Sequence, residues 1–216
     1  MCLDLGVRPG LEVVPIPSKT AAELVIEHHY LHRRPSISFS YGLVDGASVL
    51  GVMTAGAPPS RQAQMSVCPS EPSLAIELNR LWVAEELPKN TESWFVSRAL
   101  RQMPPRLVFS YADTSRDHFG FVYRALNFHY AGWTDMDRKT PRYDYIPFKS
   151  GAHTREAFRT GYAKKVRREP KVKYWIATGN RTERRHLETL CGWGRLNWHE
   201  IVPPGEELLE IGEVSA

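Results

Sequence analysis

The sequence predicts an α/β protein in which a mixed central sheet is flanked by helices. One observation is that Asp45-Gly46 separates two segments of alternating apolar residues, which is a strong signal for a β-hairpin. A second is that a strand pattern followed by a helix pattern occurs twice between residues 74 and 127. No internal repeat is present, so a layered architecture of sheet and helices is expected.

The first half of the chain begins with a helix predicted over residues 18–30, where Ser18 is a capping residue followed by good helix formers. Residues 36–44 and 48–54 are the two strands of the hairpin. Residues 57–73 are rich in Pro, Ser and Gln without any apolar period. They are therefore predicted to be a long surface loop.

The second half continues with the repeated order of strand and helix. The helix predicted at 117–127 places Phe121, Val122, Ala125 and Leu126 inward. Asn180 is expected to cap the last helix. The predicted elements are strands at 74–83, 106–112, 128–134, 143–148 and 172–178, helices at 91–102, 117–127 and 180–190, and a basic helix or arm at 154–168.

Length and composition indicate one globular domain over residues 1–216, because 42% of the residues are hydrophobic and 24% are charged. The chain contains neither an apolar run long enough to cross a membrane nor a secretory signal, so a cytoplasmic protein without a membrane partner is expected. The three cysteines are widely spaced and odd in number. Cys2, Cys68 and Cys191 are therefore interpreted as reduced thiols.

The net charge of +4 is unevenly distributed. Residues 137–200 contain 16 Lys and Arg against 7 Asp and Glu, a net charge of +9. Such a segment suits contact with phosphates, since released counterions drive binding to nucleic acids. The basic part at 149–200 is thus predicted to face DNA, with a merely solvated charged face as the alternative.

Several separated motifs carry a resemblance to known families. Glu77-Leu-Asn-Arg-Leu-Trp-Val, a helix through Ser97-Arg-Ala-Leu, and Leu107-Val-Phe-Ser-Tyr-Ala-Asp resemble the core of the GCN5-related N-acetyltransferase (GNAT) superfamily. With His29-Tyr-Leu-His-Arg-Arg-Pro, Ser110-Tyr-Ala-Asp-Thr and Asn127-Phe, residues 20–190 resemble the phage Mom family. The resemblance implies transfer of a carbamoylmethyl-type group to adenine N6 of phage DNA in the host cell, which protects that DNA from restriction enzymes.

The resemblance leaves the group donor open. Acetyltransferases bind the pyrophosphate of coenzyme A at a glycine-rich loop, but residues 89–95 contain no glycine and place Glu92 where an anion would approach. Weak binding of coenzyme A is therefore expected. Acetyl-coenzyme A, another acyl or aminoacyl donor, and a metal such as iron all remain open as cofactors. The candidate donor-binding residues are Asn90, Thr91, Ser93, Trp94 and Asn127.

The first catalytic candidate is Asp113, which follows the strand at 106–112 where α/β sheets open their ligand crevice; a helix N-cap is its alternative role. Tyr123 matches the position at which acetyltransferases place a general acid, although packing alone would also explain it. His118, one turn earlier on that helix, is a candidate base or a surface histidine. Ser110 is a further candidate and should face the opposite side from Tyr111.

Glu77 and Asn79 complete the catalytic candidates, with a structural network as the alternative. Strand alternation would place both on one face and Arg80 on the other, so Glu77 and Arg80 should not pair within the strand. The histidines at the end of the first helix suit contact with DNA phosphate or the target base, and solvation of the helix end is the alternative. His28 and His32 share a helix face, so with Asp113 or His118 they could hold a metal.

Duplex DNA is the expected partner, and a homodimer stays open as the assembly. A tryptophan could stack on the flipped adenine, with Trp94, Trp133 and Trp175 as candidates and core packing as the alternative. Two other functions compete with DNA modification, namely an ordinary acetyltransferase for a protein or small amine and an inactive DNA-binding protein. The candidate DNA-binding residues are His29, Tyr30, His32, Arg33, Arg34, Lys164, Lys165, Arg167, Arg168, Lys171, Lys173, Arg184 and Arg185.

Overall fold

The computed structural model describes residues 8–116, 118–135, 139–148 and 158–197. It confirms the α/β class, because a seven-stranded mixed sheet carries helices on both faces. The strands are β1 Leu11–Pro15, β2 Phe39–Asp45, β3 Ser48–Gly56, β4 Ala75–Val83, β5 Leu107–Ala112, β6 His129–Trp133, β7 Tyr143–Pro147, β8 Ala163–Arg167 and β9 Val172–Ala177. The α-helices are α1 Ser18–His28, α2 Arg61–Val67, α3 Thr91–Gln102, α4 Phe121–Ala125 and α5 Arg181–Leu190.

The central sheet has the strand order β1-β2-β3-β4-β5-β9-β6. Strands β4 and β5 are parallel and are connected through α3, whereas the other neighbouring strands are antiparallel. Helices α3 and α4 cover one face, where Phe95 and Tyr123 join the largest apolar cluster. Helices α1, α2 and α5 cover the other face through residues such as Val25, Val67 and Leu187.

The best-predicted elements carry the clearest local signals. Gly46 adopts a φ of 58°, which the tight turn between β2 and β3 requires. The Asn180 side chain accepts hydrogen bonds from Thr182 N and Glu183 N, while Glu183 completes a capping box at the start of α5. These contacts confirm the predicted hairpin and the predicted cap.

Two predicted elements were wrong, and the basic helix or arm predicted at 154–168 was right only in part, since residues 158–159 are helical. The segment 57–73 contains α2 and a short 3₁₀ helix, Pro72–Leu74, because buried Val67 and Cys68 attach it to the sheet. The helix predicted at 117–127 is only Phe121–Ala125, so His118 precedes it and the Phe121 side chain is 73% exposed instead of facing inward. In the described part of 154–168, residues 163–167 form strand β8 rather than a helix.

The strand predicted at 143–148 exists as β7 but lies outside the central sheet. It pairs with β8 in a separate antiparallel hairpin between β6 and β9. Cys68 and Cys191 are free thiols, as expected, while Cys2 lies outside the described residues. Among the helices described, none combines the length and the apolar character that crossing a bilayer would require.

The site is created by a gap between the two parallel strands. Pairing of β4 with β5 is restricted to residues 75–77 opposite residues 107–109. Beyond these pairs, β4 continues against β3 only and β5 continues against β9 only. The strands thus diverge toward the carboxyl end of β5, where α/β sheets usually bind their ligands.

Candidate functional site

A cavity of about 290 Å³ occupies the gap between β4 and β5. Its walls come from β4, β5, the end of α1, and the segment that leads into α4. The cavity therefore brings together predicted residues that lie far apart in the sequence. Those residues are His29, Tyr30, Glu77, Asn79, Ser110, Asp113, His118, Tyr123 and Lys171.

A hydrogen-bonded chain of hydroxyl groups spans the gap. Ser110 Oγ donates its single proton to the Leu78 carbonyl at 2.8 Å. The Tyr123 hydroxyl lies 2.7 Å from the same Oγ, so Tyr123 is the donor of this second hydrogen bond. Burial of Tyr123, which outweighs its hydrogen bond with Ser110, raises its pKa to about 12. The phenol is therefore neutral at physiological pH, and its oxygen retains lone pairs that can accept a hydrogen bond from a ligand.

An irregularity in β4 overturns the prediction that Glu77 and Arg80 lie on opposite faces, although the described residues include no ion pair between the two. Thr54 pairs with Arg80 while the next residue, Ala55, pairs with Leu78, so Asn79 forms a one-residue bulge. The bulge reverses the alternation beyond it, and both Glu77 and Arg80 line the cavity. Each carries a charge that interacts electrostatically with the other.

The buried side chains of Glu77 and Arg80 differ in how far neighbouring charges and hydrogen bonds compensate for their burial. Burial raises the pKa of Glu77, and the charges of Arg80 and Lys171 only partly offset this effect. Burial likewise lowers the pKa of Arg80, and its Nε has no hydrogen-bond partner in the described structure. A ligand oxygen at this point would satisfy that donor.

Asn79, by contrast, has its side chain fully used by the fold. Its Oδ1 accepts from Thr54 Oγ1 at 2.7 Å, and its Nδ2 donates to Ser36 O at 2.8 Å. These bonds stabilise the bulge against β3 and the loop that precedes β2. The geometry therefore gives Asn79 a positioning role in the cavity wall.

Asp113 lies at the mouth of the cavity in an ion pair. Lys171 Nζ is 2.8 Å from its Oδ2, and Ser115 Oγ donates to its Oδ1 at 2.6 Å. Burial alone would raise the pKa of Asp113, but the hydrogen bonds from Lys171 and Ser115 outweigh burial and lower it. Asp113 directly precedes the 3₁₀ helix Thr114–Arg116 and also interacts with the backbone of Ser115, which fits its alternative role as a helix cap, whereas Gly120 is the N-cap of α4.

His29 closes the cavity from the side of α1. Its Nδ1 accepts from Leu31 N at 3.2 Å, so the neutral ring carries its proton on Nε2. Burial, followed by the charges of Arg80, His118 and His32, lowers its pKa to about 4. Tyr30 stacks on His29, and the centres of the Tyr30 and His118 rings are 6.1 Å apart. The α1 side of the cavity therefore comes close to the segment that leads into α4 at this point.

The predicted face shared by His28 and His32 does not exist, because α1 ends at His28 and His32 adopts a φ of 44°. The His28 ring stacks on Trp82, and His32 Nδ1 lies 2.8 Å from Ile26 O. Across residues 8–116, 118–135, 139–148 and 158–197, no group of three or more His, Cys, Asp or Glu side chains has a geometry suited to a metal.

A second cavity of about 500 Å³ lies at the start of α3. Glu92, Phe121 and Val122 line both cavities, so the two lie next to each other. Asn90 adopts a left-handed φ of 73°, a conformation in which glycine is the usual residue. The position thus retains the backbone geometry of a glycine without the residue itself.

The other donor-binding candidates are engaged locally. Thr91 Oγ1 donates to Pro88 O at 2.6 Å, and Ser93 Oγ donates to Asn90 O at 2.9 Å. The guanidinium of Arg98 lies over the Trp94 ring at 4.2 Å. Asn127, with a φ of 59°, follows α4 and lines neither cavity.

The predicted DNA-binding residues lie in separate parts of the structure. Arg33 and Arg34 are exposed beyond α1, whereas Lys164, Lys165 and Arg167 are exposed on β8. The others are engaged or lie elsewhere: Arg168 pairs with Asp144, Lys171 with Asp113, Lys173 lies over Trp193, and Arg184 and Arg185 belong to α5.

Two of the three tryptophans proposed to stack on a base are not available for that role. Trp133 and Trp175 are 4% and 1% exposed, so core packing explains them. The sequence did not single out Phe119 and placed Phe121 inward, but both partly exposed rings line the cavity with their centroids 6.5 Å apart. It also missed Arg80 as a cavity residue, because the bulge leaves no signature in the apolar pattern.

Comparison with solved structures gives acetyltransferases at low identity. A Bacillus subtilis acetyltransferase in complex with CoA matches at 14% identity and a TM-score of 0.43, covering 78% of this chain and 98% of that one. A Bacillus cereus acetyltransferase of the GNAT family matches at 11% identity and a TM-score of 0.42, covering 79% and 99%.

Comparison with characterised sequences gives the methylcarbamoylase Mom of Escherichia phage Mu. The two chains are 30% identical over 131 residues, which is 56% of this chain and 54% of the phage Mu protein. The match therefore spans about half of each protein. A model of the Mom protein family matches residues 10–189, most of the chain, and the chain belongs to that family.

Proposed function

We propose that this protein transfers a carbamoylmethyl-type group to N6 of adenine in phage DNA. Membership of the Mom family and the name of the phage Mu relative, methylcarbamoylase, support a DNA-modifying transferase. The observation that carries the proposal is the cavity between β4 and β5, which is lined both by the buried Glu77 and by the bridged hydroxyls of Ser110 and Tyr123.

The reaction sets three demands on such a cavity. A bond forms between adenine N6 and the transferred carbon, while the bond from that carbon to the leaving group of the donor breaks. The amine nitrogen gives up one proton, and the leaving group takes one up. A base, an acid and a donor for developing negative charge should therefore surround the reacting atoms.

Glu77 is the best base in the cavity. Burial raises its pKa and so strengthens it as a proton acceptor, whereas the ion pair with Lys171 weakens Asp113. His29 is less suited, because a pKa of about 4 makes it a poor base and its Nδ1 already accepts from Leu31 N. His118 stands at the rim as the second candidate.

Tyr123 and Arg80 suit the leaving-group side. Tyr123 remains protonated because burial raises its pKa to about 12, so its hydroxyl can turn from Ser110 and protonate a departing atom. The unpartnered Nε of Arg80 can donate to an oxygen on which negative charge develops. These two groups act on the donor, and Glu77 acts on the amine.

The second cavity offers space for the body of the donor. A donor that extends past Glu92 and Phe121, which line both cavities, would bring its reactive end into the first cavity. The two carboxylates of Glu85 and Glu92 outnumber the one cation of Lys89 in its wall, which disfavours a polyphosphate and argues for a donor other than coenzyme A. At the start of α3, the exposed Asn90 side chain and the Ser93 hydroxyl oxygen, whose proton is bound to Asn90 O, are polar groups for such a donor.

Adenine N6 is paired inside duplex DNA, so the base must leave the stack before it can react. Exposed apolar side chains surround the cavity mouth and suit contact with a flipped base: Tyr30, Leu31, Phe119 and Phe121. Phage DNA modified in this way in the host cytoplasm would resist restriction enzymes that read an unmodified adenine.

Nucleoside analysis tests the proposal. Plasmid from cells that express the protein is digested to nucleosides and examined by mass spectrometry beside plasmid from cells without it. A deoxyadenosine with the mass of an added carbamoylmethyl group is the expected result. Unmodified DNA together with acetylation of a protein or small amine by the purified protein would instead support an ordinary acetyltransferase.

A further inference from the structure

We propose that the β7–β8 hairpin is an arm that lies in a groove of duplex DNA and holds it over the cavity. The inference rests on the proposed function, in which DNA is the acceptor. It adds a binding surface and a mode of binding, and it excludes α5 from that surface.

The root of the hairpin is attached to the cavity mouth. Thr134 N donates to Lys171 O at 2.8 Å, and Lys171 N donates to Thr134 Oγ1 at 2.8 Å, so the chain leaves and re-enters the sheet at one point. Lys171 Nζ then pairs with Asp113 at 2.8 Å, and Thr114 Oγ1 donates to Pro170 O at 3.2 Å. These contacts fix the base of the arm against the segment that carries Asp113.

Two carboxylates near the root, those of Asp135 and Asp144, are neutralised within the arm, whereas Glu169 is exposed. Arg142 Nε lies 3.1 Å from Asp135 Oδ1, and the Arg168 guanidinium forms a forked ion pair with Asp144. Arg168 N also donates to Arg142 O at 2.9 Å. Two arginines therefore serve to hold the arm together, and the acidic groups they bind no longer oppose an anionic partner.

Three cations on β8 remain available to a partner. Lys164, Lys165 and Arg167 are exposed, and none pairs with a carboxylate of the described residues. Lys165 and Arg167 lie opposite Tyr145 and Tyr143 on one face of the hairpin, and Lys165 Nζ is 4.1 Å from the centre of the Tyr143 ring. Strand alternation places Lys164 on the other face.

Cations on both faces of a two-stranded ribbon match the shape of a DNA groove. The major groove accepts such a ribbon, and a phosphate backbone forms each of its walls. Strands of five residues extend about 17 Å, which corresponds to about five base pairs. The arm would thus follow the duplex for about half a helical turn beside the target adenine.

The arginines of α5 cannot share this duplex. Thr178 N donates to Arg106 O at 2.9 Å, so α5 begins beside the amino end of β5, whereas the cavity opens at its carboxyl end. The six residues of β5 separate these edges by about 20 Å. Arg181, Arg184 and Arg185 therefore form a matched set of exposed cations that should not touch the DNA.

Two triple variants of equal charge change test the assignment. The arm variant is Lys164→Gln, Lys165→Gln and Arg167→Gln, and the control variant is Arg181→Gln, Arg184→Gln and Arg185→Gln. Binding of a labelled 20-base-pair duplex is measured by fluorescence anisotropy over a salt series. Lys164→Arg with Lys165→Arg keeps the charge and should bind like the wild type, and circular dichroism verifies the fold of each variant.

Three lost phosphate contacts should lower the slope of log affinity against log salt by about 2 to 3 in the arm variant. At about 0.15 M salt, counterion release is worth about fivefold per phosphate, so affinity should fall on the order of a hundredfold. The control variant should keep the wild-type slope. Equal losses in both variants, or no loss in the arm variant, would overturn the assignment.

Nucleoside analysis of the same preparations separates this inference from the proposed function. Loss of affinity in the arm variant alone supports the arm even if the wild type yields no modified deoxyadenosine. Modified deoxyadenosine with unchanged affinity in the arm variant leaves the function intact and refutes the arm. Tighter binding of the arm to anionic lipid vesicles than to the duplex would also refute it.

Discussion

Removing the hydroxyl groups that bridge β4 and β5 should destabilise the protein to different extents. Ser110→Ala leaves both the Leu78 carbonyl and the Tyr123 hydroxyl without their partner, whereas Tyr123→Phe leaves the Ser110 bond to Leu78 intact. A buried polar group without a partner costs about 1–3 kcal/mol. Ser110→Ala should therefore lower the free energy of unfolding by roughly 2–6 kcal/mol, and Tyr123→Phe by about 1 kcal/mol.

Urea denaturation of the two variants measures this difference, and thermal unfolding should show a midpoint fall of about 2–4 °C for each kcal/mol. Thr189→Ala removes an exposed hydroxyl on α5 and should change stability by less than about 0.5 kcal/mol. If Tyr123→Phe lowers the free energy of unfolding as much as Ser110→Ala or more, Tyr123 is not the donor of the hydrogen bond to Ser110, and this prediction is refuted. Tyr123→Phe should nevertheless reduce DNA modification by about 10²-fold or more if Tyr123 is the general acid.

The remaining predictions concern pH and the donor. Burial lowers the pKa of His29 from 6.5 to about 4, so between these pH values the unfolded state binds a proton that the folded state does not. The free energy of unfolding should therefore fall by at most roughly 3 kcal/mol as the pH drops from 6.5 to about 4. Denaturant titrations of the wild type and His29→Gln measure this, and parallel pH curves would contradict it. The pKa of Asp113 is lower in the folded protein than in the unfolded chain, so its partly exposed ion pair with Lys171 should stabilise the fold by about 1 kcal/mol at pH values above the pKa of the unfolded chain. This stabilisation should be lost as the pH falls through the pKa that Asp113 has in the folded protein. A cost of Asp113→Asn that persists in acid would count against that pair. Acetyl-coenzyme A should bind weakly beside Glu92, and submicromolar binding in calorimetry that Ser93→Ala abolishes would reverse this view.

The sequence predicted the elements whose signals are local. Asp45-Gly46 located the first hairpin, and Asn180 with Glu183 located the start of α5. The segment 57–73 was misjudged because α2 depends on burial of Val67 and Cys68 against the sheet rather than on an apolar period of its own. Tertiary packing decides such short helices, and a single sequence does not display it.

The candidate site was predicted by residue but not by geometry. Glu77, Ser110, Asp113 and Tyr123 do converge on one cavity, as the order of strands and helices suggested. Arg80 was placed on the wrong face, since a bulge depends on the pairing of β4 with β3 and has no pattern in β4 alone. The continuous basic field predicted over the C-terminal third is divided, because β9 carries the chain from the cavity edge to the opposite edge before α5 begins.

The most direct test of the central claim compares DNA from cells that express the wild type with DNA from cells that express Glu77→Gln. The amide removes the base but keeps the shape of the side chain, and it leaves a buried group without a charge to desolvate, so the fold and the DNA affinity should persist. Mass spectrometry of the digested nucleosides should show modified deoxyadenosine with the wild type and at least about 100-fold less with Glu77→Gln. Equal modification by a folded Glu77→Gln variant, or unmodified deoxyadenosine with the wild type, would contradict the account.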